Sequence, residues 1–113
     1  MHDPLEALED YLSNVETKSV EVKLRAGAKP LRLFYTPMTS GEMSQIQKKH
    51  PDFPSTSIEA LIDLIIIKAM NEDGGKAYTI EHKPKLRRIP HQAVYEIAGP
   101  MMASATEEQL EGN

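Results

Sequence analysis

The sequence predicts a small α+β domain, an antiparallel β-hairpin, with or without a third short strand, packed on three or four helices. Two neighbouring segments alternate apolar and polar residues at strand period. Two Thr-x-x-Glu signatures each precede a segment of helical period. A proline then opens a last apolar helix. At 113 residues one domain is expected, long enough to bury a core without staples. Its boundaries are set at 1–103, with 1–14 as a loosely attached N-terminal helix and 104–113 as an acidic flexible tail.

The elements follow in order. In "DPLEALEDYLSN", Asp3 suits a cap and Pro4 a first turn, and Leu5, Leu8 and Leu12 recur at helical spacing opposite Glu6, Glu9 and Asp10, which form a solvated face. "KSVEVKLR" alternates strictly, placing Val20, Val22 and Leu24 on one face. "PLRLFYT" alternates again through Leu31, Leu33 and Tyr35, and the short Gly-containing loop between the two makes them a hairpin. Phe34 interrupts the polar face, so that face is not fully solvated. Thr39 and Glu42 have capping-box spacing, and Met38 with Met43 that of a hydrophobic staple, ahead of a polar helix with Ile46 inward. "PDFPSTS" breaks the chain; its Pro51 and Pro54 match a PxxP spacing but read as loop punctuation.

Thr56 and Glu59 form the second box, and the helix after it runs to about Asn71, where "EDGG" supplies a glycine stop. "KAYTI" is a brief extended segment, and "EHKPKLRR" is a basic stretch broken by Pro84. The last helix starts at Pro90 with Val94, Ile97 and Ala98 inward, and Gly99-Pro100 kinks or ends it. On a helical wheel the segment 58–69 carries a core stripe of Ile58, Leu61, Ile62, Ile65 and Ala69. A second apolar stripe of Ala60, Leu64 and Ile67 lies roughly opposite, with Glu59, Asp63 and Lys68 in the seams. The second stripe is either covered by the hairpin and the last helix or meets another protein.

Composition bounds the chemistry. Cysteine is absent, which excludes disulfides, thiolate metal ligands and a thiol nucleophile, and fits a reducing cytoplasm. Two Phe, four Tyr and no Trp make the core aliphatic, with six Met as adaptable filler. A net charge of −4 argues against general nucleic-acid binding. The acidic N-terminus reads as no signal peptide, and no apolar run is long enough to span a membrane. His2, His50, His82 and His91 lack ligand spacing, so neither metal nor cofactor is expected. "NEDGGK" fails as a calcium loop in both glycine registers, since Ala69 or Met70 would fall at the first ligand position. With no catalytic constellation, the chain reads as a non-enzyme. Lys83, Lys85, Arg87 and Arg88 form a basic run, read as a solvated face or a dock for an acidic surface; nucleic acid is the weaker reading.

The order of features resembles the tail assembly chaperones of long-tailed (siphovirus-type) bacteriophages. The residues that carry the resemblance are Met38, Thr39, Gly41 and Glu42 at a helix start, then Glu72, Asp73, Gly74, Tyr78 and Thr79 in an acidic turn, within residues 18–102. The chain departs from that pattern in Gly75 and in Ile80-Glu81-His82-Lys83. The resemblance implies a protein that binds the tape measure protein in the cytoplasm of the bacterial host, keeps it soluble and promotes tail tube assembly around it. Such proteins are absent from the finished virion. It also implies self-association into a homo-oligomer, and contact with the tail tube protein through a form lengthened by ribosomal frameshifting. Glu111-Gly112-Asn113 can be encoded by codons containing a slippery heptamer. On this reading the client meets Ala60, Leu64 and Ile67, with Met38, Met43, Met70, Met101 and Met102 as secondary contacts or core filler. The alternatives are a generic protein–protein adaptor and a nucleic-acid binder working through Lys83 to Arg88.

Overall fold

Alternation and apolar periodicity set the architecture. The computed structural model describes residues 3–53 and 57–111, with side chains as far as Ala103. The elements run α1 (Pro4–Ser13), β1 (Lys18–Val22), β2 (Leu31–Tyr35), α2 (Ser40–Lys49), α3 (Ile58–Lys68), a 3-10 turn (Ile80–His82), α4 (Lys83–Leu86) and α5 (His91–Glu111). The fold is α+β, a single small domain with five helices and a two-stranded antiparallel sheet among the described residues.

Val20 pairs with Leu33 and Val22 with Leu31, so the apolar sets of both strands share the inner face, as their alternation requires. Leu24 is a correction: the strand ends at Val22, and Leu24 lies beyond it, exposed. On the outer face Arg32 sits over the Phe34 ring at 5.2 Å. The third strand reduces to one residue. Met70 exchanges backbone hydrogen bonds of 2.7 and 2.9 Å with Phe34.

That pairing ends α3 early. The helix was expected to reach about Asn71 with a glycine stop, but it ends at Lys68, and Ala69 is already extended. Beyond it Met70 finds strand partners, and the Lys76 ammonium donates to the Ile66 carbonyl at 3.0 Å, satisfying a group the helix end leaves open. "NEDGG" shapes the turn after the helix. Gly74 N–H donates to the Asn71 carbonyl at 2.9 Å, with Gly74 at φ +90°, a conformation natural to glycine. The second helix start also differs: Ser57 is the cap, accepting from Ala60 N–H, while Glu59 turns to other partners. Thr56 and Pro54, like His2 and Gly112-Asn113, lie outside the described residues. The Thr39–Glu42 capping box is present with both reciprocal bonds, at 3.0 and 3.1 Å.

Two further expectations change. "EHKPKLRR" contains the 3-10 turn and α4 instead of only a broken loop. Gly99-Pro100 does not end α5, whose backbone stays helical through the acidic segment to Glu111. Pro100 denies a donor to the carbonyl four residues earlier, which belongs to Glu96, an exposed residue. Val94, Ile97, Ala98 and Met101 face inward. The core is built around α3, which packs against α5, α2 and α4, while α5 also crosses β1.

Candidate interaction surface

The second stripe of α3 is covered by the chain itself. Ala60 and Leu64 have no exposed surface, so they are corrected from contact candidates to core residues. Their neighbours on every side are the other layers of the domain, and a helix apolar all round belongs at the centre. Met38 and Met101 are likewise buried and corrected to core filler. Met43 and Met102 are half-buried and packed against the core, and Met70 is half-buried. Only Ile67 of the stripe reaches an open cleft.

The basic run is divided in the same way. Arg87 donates to both carboxylate oxygens of Glu59, from Nε at 2.8 Å and Nη2 at 2.9 Å. Lys83 lies 2.8 Å from Asp63 and 3.8 Å from Glu59. Asp63 also meets the His50 ring at 2.8 Å, so one carboxylate ties α3 to α4 and to the end of α2. Burial pushes the Asp63 carboxyl up, but hydrogen bonds from Lys83 and His50 and the charges of Lys83 and Lys49 outweigh it, holding it below the usual value. The Arg87 hydrogen bond holds Glu59 below its usual value as well. Lys83, half-buried, and Arg87, exposed, are thus held in ion pairs within the chain, whereas Lys85 and Arg88 are exposed with no ion pair among the described residues.

Sequence reasoning missed a buried cation. Lys68, assigned to a seam, is 5% exposed. Its ammonium donates to Glu42 at 2.8 Å, Thr36 Oγ1 at 3.0 Å and the Pro37 carbonyl at 3.3 Å, which uses all three of its donors. Phe53, read as part of a loop, is buried too. A lone Phe in an otherwise polar, proline-broken segment was the available signal.

Two open clefts share the segment 76–82. One, of about 320 Å³, is lined by Ile46, Ile66, Ile67 and Ile80, with Lys49 and Asp63 at its polar side. The other, of about 280 Å³, is an apolar groove between Leu24 and Leu31 of the hairpin and Leu86, Ile89 and Ile97 of the helical side, with Lys85 and His82 among its lining. Leu24 and Ile80 are each more than half exposed. A further open apolar feature is α1. None of its residues is buried, and Leu5, Leu8 and Leu12 stand at 60, 61 and 64% exposure. The solvated acidic face expected of this helix is present, and its apolar face is open as well.

Among the described residues no group of three or more His, Asp or Glu could hold a metal ion, and no helix is long and apolar enough to cross a membrane. The arrangement is that of a small α+β protein offering two apolar clefts and one amphipathic helix. Compared with known proteins, the chain matches no family model, no curated protein and no solved structure.

Proposed function

We propose that the protein is an assembly chaperone for a long helical client, specifically a phage tail assembly chaperone that binds the tape measure protein, keeps it soluble and promotes tail tube assembly around it. The observation that supports this reading is the amount of open apolar surface on so small a domain, which marks a contact protein. The client's apolar stripe is assigned to the Ile67–Ile80 cleft, where aliphatic walls with one polar side suit an amphipathic helix laid in a groove. The protein acts in the host cytoplasm, and a frameshift-extended form carries the tail tube contact. A generic adaptor would use the same clefts but stand outside a tail gene cluster. The nucleic-acid alternative loses Lys83 and Arg87, whose charges are matched by Glu59 and Asp63.

Co-expression tests the reading. With this protein present, the soluble fraction of the tape measure protein is expected to rise several-fold, and Ile80→Glu is expected to remove that gain while leaving the fold intact. A tape measure protein equally insoluble with and without the chain overturns it. The gene's sequence tests the extended form: a Glu-Gly-Asn stretch without a slippery heptamer, or without an overlapping frame, removes it.

A further inference from the structure

We propose that α1 of one copy docks in the Leu24–Leu86 groove of a second copy, giving a reciprocal dimer. The helix supplies an apolar stripe with no cover of its own. Leu5, Leu8 and Leu12 follow one another at i, i+3 and i+7, all at least 60% exposed. The groove supplies the complement, an open apolar trough walled by Leu24, Leu31, Leu86 and Ile89. A ten-residue helix is about 15 Å long and presents all three leucines along one side.

Charge selects the occupant. The helix carries Glu6, Glu9 and Asp10 and no cation. The loop that holds Leu24 carries Lys23, Arg25 and Lys29, and α4 with the turn after it adds Lys85 and Arg88. All five are exposed, and none forms an ion pair among the described residues. Glu81 and Glu96 stand on the same flanking elements, so the rim is net positive without being uniform. An acidic helix with an apolar stripe therefore fits where a basic one would be repelled.

The chain's own α1 does not fill this groove: none of its residues lines it, and none is buried. The helix joins β1 at Lys18, which pairs with Tyr35 at the end of the hairpin away from Leu31. The groove is therefore open to the α1 of a second copy. Two-fold symmetry then makes the contact twice, so two modest contacts hold one dimer.

The contact is independent of the chaperone reading, because it is measured on the full chain with no client present. Light scattering at about 100 µM protein is expected to give twice the chain mass, with the dimer weakening as salt rises. Leu8→Asp is expected to raise the dissociation constant at least about tenfold, and the thermal midpoint of the monomer to stay unchanged because α1 buries nothing. Glu6→Lys with Glu9→Lys, and separately Lys85→Glu with Arg88→Glu, are each expected to give monomers, and all four changes in one chain to restore the dimer. A wild-type monomer, or a dimer indifferent to Leu8→Asp, overturns the proposal. So does a monomer that shifts labelled RNA through Lys85 and Arg88, which would assign the cations to nucleic acid.

Discussion

Helices α1 and α3 differ by one residue in length, both begin with a side-chain cap, and both carry leucines at helical spacing. In α3, eight residues are buried, among them Asp63 and Lys68; in α1 none is. The difference lies in the second face. The apolar residues of α3 surround its axis, so no orientation leaves it stable in water, and it is driven to the centre where α2, α4 and α5 cover it. Helix α1 has one apolar stripe and one acidic face, and it can lie at the surface while its stripe waits for a partner. An apolar stripe therefore says that a helix will be covered, without saying by what.

The strongest way to break this contrast is to truncate one leucine on each helix. Leu64→Ala leaves a cavity at the centre and is expected to cost about 2–5 kcal/mol of stability in a denaturant melt. Leu8→Ala at a concentration where the chain is monomeric is expected to change it by less than about 0.5 kcal/mol. Comparable losses at the two positions would mean that α1 is part of the core.

The polar groups on α3 sharpen the comparison. Lys68→Met strands Glu42 beside an apolar wall and is expected to cost about 1–3 kcal/mol, less than a fully buried pair because Glu42 stays partly solvated. Asp63→Asn is expected to cost about 1–2 kcal/mol at neutral pH, by weakening the charge-assisted bonds from Lys83 and His50. Because the folded carboxyl is held below its unfolded value, the unfolded chain binds the proton more readily. Its contribution is therefore full above the ordinary carboxylate pKa near 3.8 and is lost as pH falls below it. Acid titration of stability is expected to be shallower in the Asn variant below about pH 4; an unchanged slope would show that Asp63 does not carry it.

Much of the fold was legible because its signals are local. Alternation placed β1 and β2 on one register, the Thr39–Glu42 spacing formed its box, and Val94, Ile97 and Ala98 faced the core. The candidate surface was far less legible. Lys68 meets Glu42 across 26 positions and Arg87 meets Glu59 across 28, and no periodicity encodes such pairs. The basic run looked like four free cations, yet two of them face carboxylates on a neighbouring helix. The end of α3 was misplaced because a glycine cluster is a strong local stop, while Phe34, which actually competes for Met70, is distant in sequence.

The sequence by itself determined the two strands, the four longer helices and which of their faces are apolar, since these follow from the period of side chains along a backbone of fixed geometry. Only the tertiary structure decided which apolar faces the chain could cover. Burial depends on what lies opposite in space. On that count Ala60 and Leu64 were sealed inside, while Leu5, Leu8 and Leu12 were left in water.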